Sequence, residues 1–259
     1  AGIPVAWGKQ LSDTEFLAQK CRMLPLEVII RRYAAGSYLD RFPNLKKQSG
    51  APFRFHRLEF ELFLKTTGGA VTALNGEKFY LFPDKGQSFR LAPDLEGATS
   101  KNIDNPLIEN PFFDVWEMIH PKLPKWEENS KLGSFRKGGF LPDKLSVNVI
   151  AEIARKTFLV LESAWSQLGM RLIDFKIELG INGGGKLVVA DVIDNDSWRL
   201  RTLQWEELSK QLFRDNWSMK VIADKYAYVS EMVRQFRIPK QALVVWRSSE
   251  NDVSPNVPK

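Results

Sequence analysis

Glu178 and Asp191 are the pair in this chain best placed to act together. The stretch Leu172 to Leu200, LIDFKIELGINGGGKLVVADVIDNDSWRL, opens with strict alternation. Ile173, Phe175, Ile177 and Leu179 take one side of a strand, and Asp174, Lys176 and Glu178 take the other. Gly183-Gly184-Gly185 turns the chain, and Lys186 to Ile193 returns it. With the hairpin centred between Gly184 and Gly185, Glu178 faces Asp191, their Cβ atoms about 5 Å apart. Carboxylates that close need a cation between them. Lys176 is the local candidate, and Mg²⁺ the other, since magnesium takes one or two carboxylates and leaves its remaining positions to water and phosphates. A solvated polar sheet face is the plainer reading, and a register slip of one residue would remove the opposition.

Composition narrows the chemistry further. The 259 residues carry 37 Lys and Arg against 31 Asp and Glu, a formal charge of +6, with 44% hydrophobic residues. That is the profile of a folded globular chain with an anionic partner, either nucleic acid or a phosphorylated small molecule. Cys21 is the only cysteine and His56 and His120 the only histidines, which excludes an internal disulfide and disfavours zinc sites and His-based triads. No apolar run approaches the ~20 residues of a membrane span. The opening AGIPVAWGKQ lacks a signal-peptide pattern. A single cysteine fits a reducing compartment, and the expected setting is the cytoplasm, with no membrane partner.

These residues need elements to position them. Leu26 to Tyr33 reads as a strand entering the loop Ala34 to Ser37, and Leu58, Phe60, Leu62 and Leu64 mark a half-buried strand turned at Thr67-Gly68-Gly69. Asn75-Gly76 and Phe79 to Phe82 suggest a hairpin. From about Pro83 to Pro142, a Pro-, Gly-, Asn- and Lys-rich stretch should form a packed insertion pinned by Phe112, Phe113, Trp116 and Trp126. Ile150 to Leu168 repeats at helical spacing and stops at Gly169; a second amphipathic helix runs from Val221 to Phe236.

Three motifs in series, RRYAAGS (31–37), DFKIELG (174–180) and ADVIDNDSWRL (190–200), with LSDTEFLAQKCRMLPLEV (11–28), FELFLK (60–65) and KQLFRD (210–215), resemble the SAICAR synthetase family. The resemblance reaches from Ala1 to about Phe236. It implies an α+β, two-lobed fold, here mostly the larger C-terminal lobe with an antiparallel sheet and packed helices. On this reading residues 1–25 end an N-terminal ATP-binding lobe whose Gly-Lys-rich loop has no counterpart in the chain. Residues 26–239 form the C-terminal lobe with an insertion at about 68–140, and 240–259 are a tail.

The implied activity is ATP- and Mg²⁺-dependent ligation of L-aspartate to carboxyaminoimidazole ribonucleotide in purine biosynthesis. Arg31, Ser37 and Arg199 match positions that bind the ribonucleotide phosphate. Glu178 and Asp191 match acids that hold the ATP-bound magnesium, and Lys176 a residue near the reacting phosphates. Met23 and Leu24 match a hinge whose backbone meets adenine. Asp174, Asp196, Ser197, Lys210 and Arg214 fall near substrate. Many members carry an acid just before Pro after the FELFLK strand; Asn105 stands there in this chain, with Asp104 as the substitute. Arg201 stands where an aromatic is usual. The resemblance leaves open a homo-oligomer and a non-catalytic or incomplete homologue needing a partner. A basic nucleic-acid-binding module is the remote alternative, disfavoured because no Lys/Arg block is concentrated.

Overall fold

The computed structural model describes residues 2–47, 50–83, 89–93, 103 and 105–236. In chain order the strands and helices are β1 (Trp7–Gln10), β2 (Phe16–Ala18), β3 (Cys21–Tyr33), α1 (Ser37–Arg41), β4 (Arg54–Leu64), β5 (Ala70–Thr72), β6 (Lys78–Pro83), β7 (Phe89–Pro93), β8 (Leu107–Ile108), β9 (Val115–Ile119), β10 (Lys131–Arg136), α2 (Val147–Gln167), β11 (Met170–Asn182), β12 (Leu187–Val189), β13 (Trp198–Thr202), α3 (Gln211–Arg214) and α4 (Met219–Val233). The α+β expectation holds. The main sheet runs β10-β9-β8-β4-β3-β11-β12, with its named ladders antiparallel, and β13 also pairs with β11.

Period-two patterning divides the centre of this sheet into two faces. Phe175, Ile30 and Phe60 stand in one row, and Ile177, Val28 and Leu62 in the next. α2 covers these rows: Phe158 meets Phe175 edge-on at 5.4 Å, and Arg155 lies 5.5 Å over the Phe60 ring. Trp165 packs edge-on against Trp198 and Phe236, anchoring β13 and the end of α4's segment to the same core. The opposite face carries rows of Asp174–Arg31–Glu59, Lys176–Ile29–Glu61 and Glu178–Glu27–Phe63. Charge is therefore concentrated on the face that α2 does not cover.

Both predicted helices form, as α2 and α4, and Gly169 ends the first with φ +72°. The Asn75-Gly76 hairpin forms as β5–β6, but in a separate sheet with β7. The excursion after β7 packs by adding β8, β9 and β10 to the main sheet. Of the four aromatics expected to pin it, only Trp116 is buried; Phe112, Phe113 and Trp126 are exposed. The division at 25/26 falls inside β3, at a bulge where Leu24, Pro25 and Leu26 stand against Leu179 alone. Proline cannot donate to a ladder, so a bulge is where a strand tolerates it.

The largest correction concerns the glycine turn. Leu179 pairs with Val189 and Ile181 with Leu187, so the hairpin is centred on Gly184 and not between Gly184 and Gly185. Asn182 decides this. Its Oδ1 accepts from Gly184 N at 3.1 Å and Lys186 N at 2.9 Å, closing a three-residue loop with Gly185 at φ +75°. Ala190, not Asp191, donates its N–H to the Glu178 carbonyl. Asp191 lies one residue past opposition, exposed, its Oδ1 accepting from Val192 N. Among the described residues no helix is long and apolar enough to cross a membrane.

Candidate active site

The charged face has two ends. At one, five buried side chains alternate in sign: Arg41, Glu61, Arg31, Asp174 and Arg199. Arg31 donates through Nε to Glu61 at 2.6 Å, and through Nη1 to Asp174 and to the Ala35 carbonyl. Arg199 Nη1 donates to the same Asp174 oxygen at 2.7 Å. Burial alone would make Arg31 a weaker cation, but Glu61 and Asp174 outweigh it and hold its pKa above the ordinary value. Arg199 Nε is buried without a partner.

The loop after β3 completes this end. Gly36 adopts φ +56°, and a Cβ there would stand 2.2 Å from Arg199 Nη2, so the missing side chain is what admits the guanidinium. Ser37 follows as the first residue of α1. Lys210 Nζ donates to the Asp196 carbonyl. Burial, with Arg199 and Arg214 nearby, pushes its pKa down despite Asp196 and Asp174.

At the other end Glu178 stands directly opposite Glu27 across β3 and β11. The opposition expected between Glu178 and Asp191 does not form; Glu178 is paired with Glu27 instead. Lys176 lies between them, 3.2 Å from Glu27 and 3.5 Å from Glu178. Burial opposes its charge, yet Glu27, Glu178 and Asp191 leave its pKa raised. Lys65, the residue just after β4, meets the other Glu178 oxygen at 2.5 Å. Met23 is exposed and Leu24 is a core residue at the β3 bulge. Opposite Met23, Gly180 keeps the strand bare: a Cβ there would lie 2.8 Å from Cys21 Cβ and 3.1 Å from Met23 Sδ.

The structure draws some of the expected residues together and leaves others in structural work. Arg31, Asp174, Arg199, Ser37 and Lys210 gather at one end, and Lys176 and Glu178 at the other. The Asp194–Ser197 turn consumes its own polar groups: Ser197 Oγ donates to the Val192 carbonyl, and Asp194 Oδ1 accepts from Asp196 N. Asp196 offers an exposed carboxylate. Asn105 exchanges hydrogen bonds with Thr66 just beyond Lys65; Asp104 lies outside the described residues. Arg201 pairs with Glu207 at 3.0 Å.

Sequence reasoning did not single out Glu27, Arg41, Glu61 or Lys65. Glu61 and Lys65 lie in the FELFLK motif, and the alternation of β4 places Glu61 on the polar side. Glu27 and Arg41 needed the register and the fold. A cavity of about 390 Å³, lined by Arg32, Glu162 and Arg171 among others, lies instead on the α2 side of the sheet, where Arg32 and Glu162 form a two-bond ion pair.

Comparison with known proteins matches the same motifs. The SAICAR synthetase family model matches residues 1–82 and 139–232. The Gallus gallus multifunctional protein ADE2 is 30% identical over 223 residues, covering 83% of this chain and 38% of its own length. The phosphoribosylaminoimidazole-succinocarboxamide synthase of Chloroflexus aurantiacus is 30% identical over 227 residues, covering 83% of this chain and 65% of that protein. The chain thus spans well under two thirds of the multifunctional relatives. The solved synthase from Ehrlichia chaffeensis shares the fold, with a TM-score of 0.56 at 20% identity over 91% of this chain and 74% of that one. A SAICAR synthetase solved in complex with ADP gives 0.54 at 20% identity, covering 92% of this chain and 75% of that one.

Proposed function

The chain belongs to the SAICAR synthetase family, and from that premise we propose that it joins L-aspartate to the carboxylate of carboxyaminoimidazole ribonucleotide at the expense of ATP. The observation that carries this reading is a single sheet face with a guanidinium-rich end and a lysine–carboxylate end. Arg31 and Lys176 lie one row apart, about 7 Å along the strands. A ribonucleotide phosphate suits the first end, where Arg31 and Arg199 offer directional forks beside Ser37. The reacting carboxylate and the ATP phosphates suit the second.

A carboxylate resists an amine because it is anionic and lacks a leaving group. When its oxygen attacks the γ-phosphorus of ATP, ADP departs and an acyl phosphate forms. The neutral aspartate amine then attacks the acyl carbon, phosphate leaves, and the nitrogen releases a proton to give the amide. The protein's work is to align the reactants and offset their charge. Lys176 and Lys65 supply that charge from this chain, and the backbone at Met23 and Leu24, the expected hinge, would meet the adenine.

Among the described residues no group of three His, Cys, Asp or Glu side chains gathers to cage a metal. Magnesium carried in with ATP needs only one or two carboxylates. The donor set fits that mode: Glu178 is fixed by two lysines, and Asp191 is exposed with its charge felt by Lys176. Glu178 and Asp191 would hold the ion, whose chemistry is to neutralise the phosphates. The partners are small molecules, not nucleic acid or membrane, and the setting is the cytoplasm.

The test is incubation with ATP, magnesium, aspartate and the carboxylated ribonucleotide. ADP and product that require every component support the reading; ribonucleotide binding without turnover would reduce it to a binding function. Asp191→Asn should abolish turnover and leave ribonucleotide affinity nearly unchanged. Full activity with the same magnesium dependence would remove Asp191 from the site.

A further inference from the structure

Residues 83–138 lie between the two stretches that match the family, yet this segment reaches the guanidinium-rich end of the site. We propose that the loop after β9 positions Arg31 through Arg41. The inference rests on the reading of Arg31 as a phosphate ligand, and adds the group that aims it. Arg41 Nη1 donates to the Pro121 carbonyl at 2.7 Å, and Nη2 donates to Glu61 Oε1. The other Glu61 oxygen receives Arg31 Nε at 2.6 Å. Lys125 N donates to the Arg41 carbonyl at 3.1 Å, so the loop holds Arg41 by side chain and backbone alike.

The loop has its own clamp. His120 Nδ1 accepts from Lys122 N at 3.1 Å and Leu123 N at 3.0 Å, and His120 N donates to the Ser130 carbonyl at 2.7 Å. Arg41 is also packed between aromatic rings, 5.6 Å from the centroids of both Tyr38 and Phe63. A carboxylate paired only with Arg31 could turn about its side-chain bonds. With one oxygen fixed by Arg41, its second oxygen has a set direction, and so does the Arg31 fork. Recognition of a phosphate by a planar guanidinium depends on that direction. Arg41 is therefore a positioning residue.

The experiment is calorimetric titration with ribose 5-phosphate, using the full chain as wild type, Arg41→Met, Arg31→Lys and the double variant. Arg41→Met should weaken binding on the order of tenfold in the wild-type background, and less than about twofold once Arg31 is Lys. His120→Ala, which frees the loop without touching the charge chain, should show the same dependence on Arg31. Equal losses in both backgrounds, or no loss, overturn the proposal and leave the ribonucleotide reading standing. If the wild type does not bind ribose 5-phosphate, that reading fails and this one with it. If Arg41→Met does not fold, His120→Ala in the two backgrounds decides on the same criteria.

Discussion

Gly36 shows how an absent side chain shapes a binding end. Its φ of +56° disfavours any L side chain, and the space a Cβ would take is occupied by the Arg199 guanidinium. Gly36→Ala should cost about 1–2 kcal/mol in urea denaturation through the backbone alone. It should also push Arg199 off Asp174 and weaken ribose 5-phosphate binding in titration. Unchanged stability would mean that the loop relaxes without strain. The Glu27–Glu178 pair makes a different point. Two carboxylates in direct register are tolerated because Lys176 stands within 3.5 Å of both and Lys65 takes the remaining Glu178 oxygen. Alternation put Lys176 and Glu178 on one face, but only the β3–β11 register supplied Glu27 as the partner.

At the scale of elements, the strands and helices with long unbroken patterns were legible. β4 and β11 alternate, α2 carries a helical stripe, and each forms where the pattern lies. The loop between β9 and β10 was not, because nothing periodic marks it. It is held by His120, whose pKa is lowered by burial first and by Lys122 second. A histidine held below its unfolded value stabilises the fold fully above pH about 6.5 and loses that contribution as pH falls below it, because the unfolded chain then binds the proton more readily. Stability should therefore decline as pH drops from about 6.5, and His120→Asn should flatten that part of the curve. An identical pH profile in the variant would show that His120 does not hold the loop.

For the whole molecule, the charges at the site are placed one by one rather than massed. Arg31, Arg41, Arg199, Lys65, Lys176 and Lys210 interleave with Glu27, Glu61, Asp174 and Glu178, with Glu59, Asp191 and Asp196 close by. Binding of ribose 5-phosphate should weaken as salt rises from about 0.01 to 0.15 M, where the screening length falls from about 30 to 8 Å. Salt-independent affinity would mean that the phosphate is not the recognised group. The family motifs, the α+β elements and the side of each strand on which charge falls were legible in the residues alone, because these depend on local periodicity and residue type. Tertiary structure decided which charges meet. A side-chain period of two makes strand pairing sensitive to a shift of one residue. The Asn182 side chain, by closing the glycine turn as a three-residue loop, moved Asp191 past Glu178, while the long β3–β11 ladder brought Glu27 opposite it.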